Sequence, residues 1–139
     1  MKITLLGTGS PLPSVTCAGP STLVQADNQF ILVDAGRSVV PRLLGAGVPP
    51  PFIGAVLLTH LHSDHICDLN DVITTRWISS PAATPLPLSG PIGTKKMIDG
   101  LLAMLSQDET YRLDHHTDLR AAGGMKLEVH EIEAGHTFS

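Results

Sequence analysis

The sequence predicts an α/β fold, because apolar runs typical of buried strands are followed by stretches with apolar residues at helical spacing. The clearest strand is the run at 54–58, and the clearest helix follows it with one apolar face formed by Ile66, Leu69, Ile73 and Trp77. The chain has 139 residues, of which 42% are hydrophobic. That length and composition indicate one globular domain with a modest core, built mainly from aliphatic side chains.

The N-terminal segment predicts a strand, a loop and a hairpin. The apolar residues 3–6 are expected to form a short buried strand. Residues 7–20 contain three Pro and three Gly and are predicted to be a loop. Segments 21–26 and 30–34 are then predicted to be the two strands of a hairpin, joined by a short polar turn.

The remaining elements are predicted from periodicity and from helix-breaking residues. A short helix over 39–44 is ended by glycines and by a run of three prolines. A short strand at 86–88 interrupts a proline-rich connection, and a helix is expected over 95–106. Apolar and polar side chains alternate over 125–133, which indicates a half-buried strand.

The stretch from Thr59 to His65 places three imidazoles and a carboxylate within seven residues, at the turn between the strand at 54–58 and the next helix. Residues two apart in extended backbone point the same way, so His60 and His62 can reach one ion. Asp64 and His65 fall beyond the turn and can address a second position nearby. Four ligand-type side chains at one strand end favour a metal site over a solvated loop that happens to be rich in His.

The spacing His-x-His-x-Asp-His resembles the metal-binding motif of the metallo-β-lactamase superfamily, and its surroundings resemble the ribonuclease Z branch and close relatives. Further matching segments occur in the family's order at 6–11, 19–21, 32–36, 90–94 and 135–137. The resemblance implies a four-layer αββα sandwich built from two similar halves. Residues 1–139 are expected to represent roughly the N-terminal half of that domain, truncated at the C-terminus.

The resemblance also implies a set of metal ligands. It places one ion on three imidazoles, with a position left open for water as in catalytic zinc sites, and these are His60, His62 and His136. Asp64 and His65 would hold a second ion. Asp64 is in addition the expected catalytic residue, placed to orient the attacking water.

Asp34 is the expected outer partner of these ligands. The resemblance places it beneath the metal site, where a carboxylate would take the second N–H of a metal-bound His and fix its tautomer. Alternatively, Asp34 caps the helix that begins near Gly36, and one side chain could do both. His130 lies on the polar side of the strand over 125–133 and is not expected to be a ligand.

Composition limits the metal, the partners and the compartment. Cys17 and Cys67 do not make a disulfide framework, and the nitrogen- and oxygen-rich donors fit zinc, with manganese or iron as alternatives. The net charge of −4 argues against a generally basic nucleic-acid-binding surface. Neither a signal peptide nor a membrane span is recognisable, so a soluble cytoplasmic protein without membrane contact is expected.

The function implied by the resemblance is that of a metal-dependent hydrolase similar to ribonuclease Z, which cuts a phosphodiester bond of precursor tRNA in 3′ processing. The alternatives are a related esterase of arylsulfatase or cyclic-nucleotide phosphodiesterase type, acting on a small phosphate or sulfate ester, and a non-catalytic fragment. The family's bridging Asp and final His cannot be found in the sequence. We therefore expect a weakened first ion site, a compromised second site, and an exposed sheet face that favours homo-oligomers.

Overall fold

The computed structural model describes residues 1–80, 84–133 and 135. Six strands form one mixed sheet in which the spatial order follows the chain order. The first three strands pair antiparallel, and the third to sixth pair parallel. The strands are β1 (Lys2–Gly7), β2 (Ser21–Ala26), β3 (Gln29–Val33), β4 (Ile53–Leu57), β5 (Leu86–Pro91) and β6 (Leu127–Ile132).

Five α-helices connect the strands in the described part of the chain. They are α1 (Val39–Gly45), α2 (Ser63–Ile66), α3 (Leu69–Ser79), α4 (Thr94–His115) and α5 (Thr117–Ala122). A single 3₁₀ turn, Pro50–Phe52, precedes β4. Across the described ranges, every helix is too short or too polar to span a membrane.

The predicted strands and helices are present, with corrections to three helical segments. Two helices, α2 and α3, replace the single helix predicted after the metal motif, and α2 already begins inside the motif at Ser63. Helix α4 continues to His115, well beyond the predicted end at Ser106, because no Gly or Pro follows Ser106 within it and an Arg112–Asp108 hydrogen bond supports its polar last turns. Helix α5 was not predicted, since it is short and only Leu119 is buried.

The hydrophobic core lies between the helices and one face of the sheet. Leu32, Val56 and Leu88 are directly paired across β3, β4 and β5, and each is completely buried. Leu43 of α1 and Leu69 of α3 belong to the same cluster and are also completely buried. Each such aliphatic side chain contributes about 1.5–3 kcal/mol of transfer free energy, so this layer fixes the sheet against the helices.

The other face of the sheet carries apolar side chains that the described helices leave uncovered. Residues alternate between the two faces of a strand, so the neighbours of core residues point away from the helices. Leu5 and Ile3 of β1 are 66% and 59% exposed, and Leu57 of β4 is 37% exposed. We call this surface the open face; it comprises Ile3, Leu5, Val24, Ile31, Val33 and Leu57.

Candidate metal centre

The candidate site lies at the carboxyl ends of the parallel strands β3 and β4. Asp34 directly follows β3, and its backbone N–H donates to the carbonyl of Leu57, which extends the pairing with β4. The segment after β4 carries His60 and His62, and α2 then carries the remaining two residues of the motif. Ligand sites in open α/β sheets form at such strand ends, because the loops there leave a crevice.

The carboxylate of Asp34 is the centre of the hydrogen-bond network. Asp34 is buried, and its Oδ1 accepts the backbone N–H of Thr59 at 2.8 Å. Its Oδ2 accepts the Thr59 hydroxyl and the Nδ1–H of His65, each at 2.8 Å. The φ angle of Asp34 is 61°, a left-handed conformation that costs about 1–2 kcal/mol outside glycine. The three hydrogen bonds offset that cost and hold the carboxylate between the two strands.

The alternative role of Asp34 as a helix cap receives no support from these contacts. Helix α1 starts at Val39, and its N-cap is Ser38. The backbone N–H of Ser38 donates to the carboxylate of Asp68, which lies just before α3. The side-chain hydrogen bonds of Asp34 go instead to the metal motif.

His60 and His62 present one nitrogen each to a common point. His60 Nε2 and His62 Nδ1 are 3.0 Å apart, and the two rings meet edge to face. Zinc–nitrogen bonds of about 2.0–2.1 Å in a tetrahedral site place ligand atoms roughly 3.3 Å apart. The two rings are therefore close enough to share an ion. The ring of His65 lies beside that of His60, with 4.0 Å between their centroids.

His65 and Asp64 form a second pair of donor atoms. His65 donates its Nδ1–H to Asp34, and in a neutral ring its Nε2 then carries a lone pair, which faces Asp64 Oδ2 at 3.7 Å. Asp64 is buried, at 7% exposure. Two acceptor atoms at this distance repel each other unless a hydrogen or a cation lies between them. The donors in this pair, an imidazole and a carboxylate, thus fit a divalent ion.

Within the ranges that the structure describes, the ligand-type side chains form pairs, and no group of three or more meets around one point. The third imidazole expected for the first ion, His136, lies outside the described residues.

His130 is exposed, as its register predicted, and its Nε2 lies 3.3 Å from Glu128 Oε1. Burial, reinforced by Asp68, raises the pKa of the Cys67 thiol, so its sulfur is a poor metal ligand near neutral pH.

Two contributions to this site were not found from the sequence. Thr59 joins Asp34 to His60, and the only local signal was a hydroxyl residue directly before the first imidazole. Gly36 lets the loop after β3 pack against the backbone of Asp64, since a Cβ at Gly36 would lie 2.6 Å from the Asp64 carbonyl oxygen.

A shallow groove of about 270 Å³ also begins at Thr59 and follows the ends of β4, β5 and β6.

Sequence and structure comparisons agree on the class of protein that this fold and site define. The model of the metallo-beta-lactamase superfamily matches residues 15–137. The chain therefore belongs to the metallo-beta-lactamase superfamily, as its metal motif predicted. Membership implies divalent metal binding, and it confirms the predicted fold class.

Within that superfamily the chain is similar to ribonuclease Z. It is 50% identical over 137 residues to the ribonuclease Z of Mycobacterium marinum, covering 97% of this chain and 48% of the relative. The ribonuclease Z of Mycolicibacterium gilvum is also 50% identical, with 47% of its length covered. The crystal structure of human tRNase Z, short form, superposes with a TM-score of 0.74 at 23% identity, covering 96% of this chain and 46% of that one. The chain thus spans about half the length of the curated relatives that it matches.

Proposed function

We propose that this chain supplies the metal-binding side of the active site of a ribonuclease Z-like hydrolase, which cleaves a phosphodiester bond of precursor tRNA in 3′ processing. The observation that carries this proposal is the two pairs of donor side chains at the ends of β3 and β4, where Asp34 contacts His65 directly and His60 through Thr59. The ribonuclease Z relatives at 50% identity support it. They also favour an RNA substrate over the small phosphate or sulfate esters of the alternative esterases.

The residues present fit a pair of zinc ions. His60, His62 and His136 would hold one ion, and Asp64 and His65 the other. When bound, such a pair lowers the pKa of a water to about 7 and stabilises negative charge on phosphoryl oxygens. Zinc is proposed over manganese or iron because imidazole nitrogens dominate the first set.

The chain's own side chains orient the ligands and the attacking water. Asp34 fixes His65 through a direct hydrogen bond at 2.8 Å. Asp64 is proposed to accept a hydrogen bond from the attacking water, since its carboxylate lies beside His65 Nε2 and is otherwise buried. His62 is exposed, so the substrate phosphate can approach the pair of imidazoles from solvent.

The remaining ligands are proposed to come from outside residues 1–139. The described residues hold two donor pairs and not a complete two-ion site. The open face supports this proposal, because a second sheet stacked on it would complete the αββα sandwich implied by the family. Until it is covered, the open face favours association of copies of this chain. We place the working enzyme in the cytoplasm, where tRNA precursors occur.

Zinc binding is the first test of the proposal. Purified wild-type chain should bind zinc in a calorimetric titration, and His62→Ala should lose the tightest binding because one of two adjacent ring nitrogens is removed. His130→Ala is the matched control, since His130 is exposed and paired with Glu128. Equal loss in the two variants, or zinc binding that His62→Ala leaves unchanged, would contradict the proposed ligand set.

Cleavage of precursor tRNA is the second test. The 139-residue chain alone should show very low turnover in zinc-supplemented buffer, because the bridging Asp that would fix the separation of the two ions cannot be found in its sequence. Fusing the second half of a ribonuclease Z relative should restore cleavage, and Asp64→Ala should abolish it again. Full activity of the short chain alone would show that copies of it complete the site together, or that two ions are not needed.

A further inference from the structure

The hydroxyl of Thr59 lies between a carboxylate and an imidazole. Its Oγ1 is 2.8 Å from Asp34 Oδ2 and 3.0 Å from His60 Nδ1. The backbone N–H of the same residue donates to Asp34 Oδ1, so both oxygens of the carboxylate hold Thr59 in place. This arrangement restricts rotation of the hydroxyl and fixes which neighbour receives its hydrogen.

The direction of each hydrogen bond follows from the number of hydrogens available. A hydroxyl has one hydrogen, and an ionised carboxylate can only accept, so Thr59 donates to Asp34. The hydroxyl oxygen must then accept from His60, which places a hydrogen on His60 Nδ1. In a neutral ring, Nε2 of His60 is left with a lone pair, and this is the atom that faces His62.

We propose that Thr59 is a positioning residue that links Asp34 to His60 in a hydrogen-bond relay. Because its hydroxyl hydrogen goes to Asp34, its oxygen must accept a hydrogen bond from His60. The same carboxylate acts directly on His65, so it selects the Nδ1–H tautomer of one imidazole in each proposed ion position. This inference deepens the metal site proposed above and rests on it for the role of the lone pairs. The hydrogen-bond relay itself is a property of the metal-free chain.

The relay predicts different effects for its two members. Replacing Thr59 by Val keeps the side-chain shape but removes the hydroxyl, so His60 should lose its tautomer preference while His65 keeps its own. Replacing Asp34 by Asn puts an amide, which both donates and accepts hydrogen bonds, beside Thr59 and His65. The tautomers of both His60 and His65 should therefore change. A residue with a merely structural role would not separate the two rings in this way.

The experiment uses the metal-free 139-residue chain with ¹⁵N-labelled histidine, and long-range ¹H–¹⁵N spectra above pH 8 report the tautomer of each ring. Wild type and Thr59→Ser should show Nδ1–H on His60 and His65. Thr59→Val should shift His60 toward the Nε2–H form while His65 stays unchanged. Zinc affinity, measured by competition with a chromogenic chelator, should fall by about 10–100-fold in Thr59→Val and be restored by Thr59→Ser.

Two outcomes would overturn the inference. One is an unchanged His60 tautomer in Thr59→Val, and the other is the same tautomer shift in Thr59→Ser as in Thr59→Val. Failure of the proposed function would look different, because wild-type chain would then bind no zinc while the tautomers still followed the relay. If a variant lost its fold, the Nδ1–H preference would be lost at His65 as well as at His60.

Discussion

Replacing Gly36 by Ala tests how closely the metal motif is packed against the rest of the fold. A Cβ at Gly36 would lie 2.6 Å from each of three backbone atoms, the carbonyl oxygen of Asp64, the carbonyl carbon of Gly19 and the nitrogen of Pro20. Ordinary van der Waals contact begins at 3.4 Å. Backbone atoms cannot rotate away as side chains do, so at least one of these segments must move by roughly 0.8 Å, given how tightly interiors are packed.

We expect Gly36→Ala to destabilise the fold by about 3 kcal/mol, the upper part of the range for overpacked sites. For a chain of this size that corresponds to a fall in Tm of roughly 10 °C. Two backbone hydrogen bonds restrict movement of these segments. Gly36 N–H donates to the Pro20 carbonyl at 3.0 Å, and Gly19 N–H donates to the Arg37 carbonyl at 2.9 Å. Zinc affinity should fall as well, because the moved backbone carries Asp64.

The matched control is Gly100→Ala. Gly100 lies inside α4, is exposed, and an added Cβ would meet nothing within 4 Å. Alanine there should stabilise the helix by about 0.5–1 kcal/mol. Thermal unfolding followed by circular dichroism measures both variants, and a Gly36→Ala protein as stable as Gly100→Ala would refute the packing argument.

Three further outcomes are expected. The hydrogen bond with Thr8 lowers the pKa of the Cys17 thiol, whereas burial raises the pKa of the Cys67 thiol. Alkylation of Cys17, followed by peptide mass spectrometry, should therefore begin at a lower pH than alkylation of Cys67. Alkylation of both thiols beginning at the same pH would contradict this. Leu5→Glu on the open face should reduce self-association in sedimentation velocity with little change in Tm, because this leucine is 66% exposed, and unchanged sedimentation would argue against association through that face. Trp77→Phe should cost about 1–3 kcal/mol in urea unfolding, since its Nε1–H donates to a backbone carbonyl before β6 at 3.1 Å, and a smaller loss would show that water replaces it.

Local pattern was enough to predict most elements of the fold. The hairpin, the strand before the metal motif and the helix carrying Trp77 all follow from apolar spacing over a few residues. The donor residues of the motif could be named because their spacing is unusual within seven residues. Helix α4 shows where this reasoning ends, since its last turns are mostly polar and carry no apolar period.

The arrangement of the site was decided by pairing between distant segments. The sequence by itself determined which imidazoles and carboxylates are available, and the order of strands and helices around them. The family resemblance implied that Asp34 lies beneath the metal site, but only the tertiary structure identified its partners as Thr59 and His65, because parallel pairing of β3 with β4 depends on packing across the whole sheet. The close approach of Gly36 to Asp64 has the same origin. Periodicity describes which face of an element is buried, and it contains no information about which strand end will lie next to it.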